Sequence, residues 1–141
     1  MLLQGKLIQA TPLLNDSFFE NAMVLIVQHD TTGAIGFVTN KPFGKNLNDL
    51  VEFSSSQPFA LYDGGPVERE NLFFIHQHPN LIEGGQPITA QLFYGGNFKQ
   101  LVQAINHRTI KPPTAQLFIG YCGWDAGELE AEVKEGSWVV V

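Results

Sequence analysis

The segment Met23–His29 (MVLIVQH) constrains this chain more than any other. It is a continuous apolar run of strand length, and such runs are buried on both faces of a sheet. Asp30-Thr31-Thr32-Gly33 follows with turn chemistry, and Ala34–Thr39 (AIGFVT) resumes the apolar pattern. Two such runs joined by a short Gly-containing loop read as a β-hairpin. A strand covered on both faces needs a domain large enough to cover it. The 141 residues suffice for one, so residues 1–141 read as a single domain. Apolar residues make up 44% and charged residues 16%, which excludes intrinsic disorder. No apolar run approaches the roughly 18 residues of a membrane span. A single cysteine excludes an internal disulfide framework and a zinc ribbon.

The remaining pattern is mostly short strands with two or three short helices. Lys6–Thr11, Phe59–Tyr62, Leu72–His76, Ile88–Tyr94, Ala115–Tyr121 and Ser137–Val141 read as strands, separated by Gly- and Pro-containing turns. Asn97 is a good N-cap with Gln100 as its capping-box partner, and Phe98, Leu101, Val102 and Ile105 form one apolar stripe. A second helix is expected from about Ala126 to Glu135, stopped by Gly136. The element order is not the alternation of a doubly wound sheet. It predicts an α+β fold with a bent mixed or antiparallel sheet and the helices packed to one side.

Eight Lys and Arg against fourteen Asp and Glu give a net charge of −6. The basic residues are spread along the chain, so phosphate backbones would repel it unless folding gathered Lys41, Lys45 and Arg69. The Met1–Thr11 segment lacks the long apolar stretch and cleavage site of a signal peptide, so the cytoplasm is the expected location and no membrane association is predicted.

Few groups could carry chemistry. His76 and His78 form a His-Gln-His step whose period of two can set both rings on one strand face, a geometry that can hold a metal. No third or fourth ligand is identifiable from spacing, so neither a metal nor any other cofactor is predicted. The structural alternative is a strand end reaching solvent before Pro79. His29-Asp30 has the composition of a base beside an orienting carboxylate, but adjacent strand residues face opposite ways. Asp30 is better explained by the turn it starts. Cys122 has Asp125 and Glu128 nearby, which oppose a thiolate, and it reads as a small buried hydrophobe. Asp125 and Glu128, flanked by Trp124 and Leu129, read as N-cap, capping box and hydrophobic staple. No glycine motif is a P-loop or GxGxxG fingerprint. Gly95-Gly96 before Asn97 is the best anion-site candidate, with simple turning of the chain as its alternative.

Together the motifs resemble one family, the bacterial YqgE/AlgH proteins. The matching blocks are Leu7–Pro12 (LIQATP) with Leu14, Asp16 and Phe18, then His29-Asp30 and Gly33–Val38 leading to Asn40-Lys41-Pro42. Gly64-Gly65-Pro66-Val67, Leu72-Phe73 and His76 follow. The last block is Gly120-Tyr121, Gly123-Trp124, Gly127, Leu129-Glu130 and Glu132, with Gly136 and Trp138 after it. The resemblance implies an α+β fold with a strongly bent sheet. Some members are linked by name to regulation of alginate synthesis. It brings no reaction, cofactor or catalytic residue with it. The family usually has Ala or Ser at Cys122 and Gln at Glu128, and its members usually continue beyond the tryptophan strand that here ends at Val141. An open Trp138–Val141 edge would invite pairing, so a homodimer through that strand is expected.

The leading functional expectation is therefore a non-catalytic module that binds a protein or small-molecule partner, with a regulatory role. Its candidate binding residues are His29, Asn40, Gly64, Gly65, His76, Tyr121 and Trp124, at strand ends or loops, where ligand sites gather. The alternative is a hydrolase using His76 or His29 as base, with or without a metal. Nucleic-acid binding is third, opposed by the acidic balance. A well-formed pocket shared by none of the candidate residues would count against them.

Overall fold

The computed structural model describes residues 2–141. Ten strands run in chain order: β1 (Leu7–Ala10), β2 (Met23–Asp30), β3 (Gly33–Val38), β4 (Pro42–Asn46), β5 (Ala60–Asp63), β6 (Val67–His76), β7 (Gln86–Pro87), β8 (Phe93–Tyr94), β9 (Ala115–Asp125) and β10 (Trp138–Val140). Helix α1 (Phe98–Asn106) precedes β9, and α2 (Glu128–Lys134) follows it. The sheet order is β10-β1-β2-β3-β9-β6-β8-β7, with β5 joining β9 and β4 joining β5. Among the described residues every pairing is antiparallel except β5 with β9. The expected α+β class and the β2–β3 hairpin are both present.

Strand β9 organises the sheet. Its first half, Ala115–Ile119, lies between β5 and β6, and its second half pairs Cys122–Asp125 with β3. The strand runs four residues past the expected Tyr121 because β3 offers it a new neighbour there. The change of neighbour falls at Gly120, whose φ of +72° also shifts the alternation of side chains. Ala115, Leu117 and Ile119 join one core with Leu101, Ala104 and Ile105 of α1. Cys122 and Trp124 join another with Leu129 of α2, Ile26, Val38 and Trp138. Phe118 points the other way, into a third core with Leu25, Val27, Phe37 and Ile75. Phe37 and Phe118 stack there at 4.5 Å. Both helices thus cover one face of the sheet, and each fully buried Leu, Ile or Phe contributes about 1.5–3 kcal/mol.

Two local expectations need correction, and one strand, β4, had no sign in the sequence. Ile88–Tyr94 is not one strand. Ile88 and Thr89 donate back to the Leu92 carbonyl at 2.8 and 3.2 Å, closing a turn that leaves only Phe93–Tyr94 extended, against Gln86–Pro87. β4, with no apolar alternation of its own, is extended because β5 pairs with it. Helix α2 starts after Gly127, at φ +79°, rather than from an Asp125 cap. Glu128 still accepts the Asp125 N–H, so one half of the box forms. Asn97 caps α1 as expected, its Oδ1 accepting the Gln100 N–H at 3.0 Å. Among the described residues no helix is long and apolar enough to cross a membrane.

Candidate functional site

The two histidines proposed as bases are built into the framework. His76 is fully buried between the rings of Phe74 and Phe93. Its Nδ1 accepts the His78 N–H at 3.1 Å, which leaves the proton on Nε2, 3.0 Å from the Gly95 carbonyl oxygen. Neither ring nitrogen has a lone pair to spare. Burial pushes its pKa below the ordinary histidine value. His78 lies beyond the end of β6, its Nε2 2.8 Å from the Thr114 hydroxyl, which itself donates to the Lys111 carbonyl. The His78 nitrogen must therefore donate. His29 is buried with Nδ1 accepting the Leu3 N–H at 2.9 Å. Its Nε2 lies 3.2 Å from Glu130 Oε1, off the hydrogen-bond line, so the contact is electrostatic. Asp30 does start its turn, accepting from the Thr32 N–H and hydroxyl, which hold its carboxyl below the usual range.

The other expected site residues are also engaged. Asn40 accepts the Met23 N–H at 2.9 Å and donates to the Asn21 carbonyl at 3.0 Å, tying the chain after β3 to the start of β2. Gly64 and Gly65 cross the backbone of β9 at Gly120–Tyr121. A Cβ on Gly65 would stand 2.0 Å from the Tyr121 carbonyl carbon. The Tyr121 hydroxyl donates to Glu68 at 3.2 Å. Trp124 and Trp138 both donate their indole N–H to Oε1 of Glu132, at 3.0 and 2.9 Å. His29 and Trp124 share one row across β2, β3 and β9, whereas His76 belongs to the β6–β8 pair. Cys122 is buried with its thiol 3.3 Å from the Gly64 carbonyl, and burial pushes its pKa up to about 12. Among the described residues no group of three or more His, Cys, Asp or Glu is placed to hold a metal.

A concavity lies elsewhere. A groove of about 800 Å³ opens on the α1 face of the sheet. Its apolar surface comes from Phe43, Leu50, Phe53, Leu72, Phe74 and Phe98. Phe74 belongs to the buried α1 core and the other five are its partly exposed margin, with Phe98 edge-on to both Phe53 and Phe74. None of the seven expected site residues lines it, although Gly95 and Gly96 do. Asn97 spends its N–H on the Glu83 carbonyl at 2.8 Å, and Gln100 returns the Glu83 N–H at 2.8 Å, so the α1 N-terminus braces the 83–86 loop.

The polar part of the groove comes from a break in β6. Its pairing with β9 jumps from Val67↔Tyr121 to Leu72↔Ile119, which bulges Glu68–Asn71 out of the ladder. Arg69, Glu70 and Asn71 of this bulge line the groove, together with Lys45 of β4. Asp63 takes Nη1 and Nη2 of Arg69, at 2.5 and 3.3 Å, and the Gly65 carbonyl takes Nη1 at 3.1 Å. The hydrogen bond to Asp63 raises the pKa of the guanidinium. Lys41 approaches Asp63 at 3.9 Å and sits 3.7 Å above the Phe18 ring. Folding therefore does gather Lys41 and Arg69 on one carboxylate. The sequence sign of this site was the charged Glu68-Arg69-Glu70 run ahead of an apolar strand. The aromatic walls carried no such sign, because single half-buried phenylalanines look like core.

The AlgH-like family matches residues 7–141. A "UPF0301 protein" of Chlorobium luteolum is 35% identical over 137 residues, covering 97% of this chain and 72% of that protein. A UPF0301 protein of Cytophaga hutchinsonii is 34% identical over 141 residues, covering 99% and 78%. The solution structure of the AlgH protein from Pseudomonas aeruginosa is similar with a TM-score of 0.80 at 28% identity, over 100% of this chain and 77% of that one. A crystal structure from Corynebacterium diphtheriae, at 21% identity and TM-score 0.76, covers 99% and 75% and shares the fold. The motif blocks, the bent α+β sheet and these matches agree: the chain belongs to the AlgH-like (UPF0301) family.

Proposed function

We propose that this protein is a non-catalytic binding module whose ligand lies in the groove between α1, the β6 bulge and the 43–53 segment. The observation that supports this most directly is the groove itself: about 800 Å³, walled by phenylalanines, with a few polar groups at its margin. That combination is the usual make-up of a small-molecule site. Its lining includes no histidine, cysteine or serine, and the lone pair each candidate base would need is already taken, on His76 by the His78 N–H and on His29 by the Leu3 N–H.

The test is to fill the groove. Leu72→Trp adds bulk at its floor. Aromatic fragments that raise the melting temperature of the parent protein are expected to lose that effect on the variant. Equal stabilisation of both proteins, or none of the parent, would remove the groove as the site.

A second reading concerns the partner. β10 is the outermost strand, with Val139 53% and Val140 41% exposed, and an unpaired antiparallel edge can accept the same strand of a second copy. The expected result is a concentration-dependent dimer by light scattering that Val140→Pro abolishes, since the backbone groups of Ser137 and Val141 face β1 and alternation turns the Val140 N–H to the open edge. A monomer at all concentrations would end this reading.

A further inference from the structure

The Arg69 guanidinium has two forks, and only one is used. A guanidinium offers five N–H donors in a rigid plane: an end-on pair from Nη1 and Nη2 and a side-on pair from Nε and Nη2. Asp63 takes the end-on pair, and the Gly65 carbonyl takes the remaining hydrogen of Nη1. Among the described residues nothing accepts from Nε or from the second hydrogen of Nη2. Arg69 lines the groove and keeps 41% of its side-chain surface exposed.

These bonds hold the head group still. Most surface arginines must give up side-chain freedom when they bind an anion, whereas Arg69 has already been ordered by the fold. Glu52 and Glu70 also border the groove, but both are exposed and neither is held by a hydrogen bond among the described residues, so they can turn to water. Lys45 lines the groove as well and forms no ion pair among the described residues.

We infer that the groove takes a ligand with a flat apolar body and a terminal oxyanion, a carboxylate or phosphate, held by the side-on fork of Arg69 with Lys45 contributing charge. Two parallel N–H···O bonds from such a fork are the recognised geometry for either group. The aromatic margin of Phe53 and Phe98 supplies the surface for the body. This rests on the groove being the binding site, and it adds the chemical class of the ligand.

The experiment compares four probes that share one ring system: 2-naphthoate, 2-naphthyl phosphate, 2-naphthylmethanol and 2-naphthylmethylammonium. Each is titrated into the full chain while backbone amide resonances are followed, with Gly84, Gly95 and Gly96 reporting on the groove. The carboxylate or the phosphate is expected to bind about 3–10-fold more tightly than the alcohol, as charge-assisted hydrogen bonds at a half-exposed site allow. The ammonium should bind weakest, and the order of the two anions names the oxyanion. Arg69→Lys keeps the charge but loses the fork, and should cut the preference for the anions without changing affinity for the alcohol. Should that variant not fold, Lys45→Gln, at an exposed position, is expected to reduce the same preference. Alcohol binding as tight as the anions, or a preference unmoved by these variants, would overturn the oxyanion assignment and leave the groove reading intact. Failure of all four probes to shift the three glycine amides would overturn both.

Discussion

The Nε2–H of His76 donates to the carbonyl oxygen of Gly95 across the β6–β8 pair, while its Nδ1 receives the backbone N–H of His78. One buried ring thus holds the end of β6 to the loop that forms part of the groove wall. His76→Ala should cost about 2–4 kcal/mol, combining a cavity between Phe74 and Phe93 with two polar groups left unpaired. Urea unfolding measures this, and an unchanged midpoint would contradict the structural role.

The same ring predicts a pH dependence. Its pKa in the fold is lowered below the ordinary value of 6.5, chiefly by burial. The unfolded chain therefore binds this proton more readily, so stability is full above the ordinary value and falls as the pH drops through it toward the folded pKa. Unfolding free energy should decline as the pH falls below the ordinary value of 6.5, with a shallower decline in His76→Phe. Equal slopes would show that His76 does not set the dependence.

Glu132 accepts from two tryptophans at once, with Trp124 and Trp138 edge-on at 6.1 Å. Both rings are buried, so losing the acceptor strands two indole N–H groups. Glu132→Ala should cost about 1–3 kcal/mol, and Glu132→Gln less, since its carbonyl oxygen can still accept. Denaturation followed by tryptophan fluorescence gives both values. A larger loss in the Gln variant would be inconsistent with this geometry.

The crossing of Gly65 over Tyr121 leaves no room for a methyl group. Gly65→Ala sets a Cβ 2.0 Å from a carbonyl carbon, so the two backbones must separate. It should lower stability by more than about 3 kcal/mol or prevent folding. Gly44 is the control: its φ is positive, +86°, unlike that of Gly65, but the space around it is open. Gly44→Ala should cost only the backbone strain, about 1–2 kcal/mol. Comparable melting temperatures for the two variants would refute the close approach.

Cys122 is expected to be chemically silent in the native protein. With its thiol buried and its pKa pushed up to about 12, alkylation at pH 8 should proceed only through unfolding. Rapid labelling by iodoacetamide without denaturant would show that the thiol is accessible after all.

Much of the framework was legible locally. The apolar run of β2, its Asp-Thr-Thr-Gly turn and β3 declare a hairpin, and the Asn97 cap with the Leu101–Ile105 stripe declares α1. Those signals depend only on the period of a strand or helix and on the side chain at a cap, which neighbouring residues determine. The motif blocks were enough to place the chain in its family. The α+β class follows from the order of such segments.

The groove and the bonding of the candidate residues were not legible, because they depend on contacts between distant parts of the chain. Spacing left His76 open as a base or ligand; it took Gly95, 19 residues on, to occupy its Nε2. His29 looked available until Leu3, 26 residues earlier, was found on its Nδ1. Arg69 was one charge in a polar run until the β6 bulge and Asp63 fixed its plane, and the phenylalanines around it come from β4, the 51–53 turn, β6 and α1. The sequence by itself determined the β2–β3 hairpin, the helix α1 and the family, since local periodicity and ordered motifs carry that information. Only the tertiary structure decided which polar atoms are left unfilled, because a donor is free or spent according to what the rest of the fold brings within 3 Å of it.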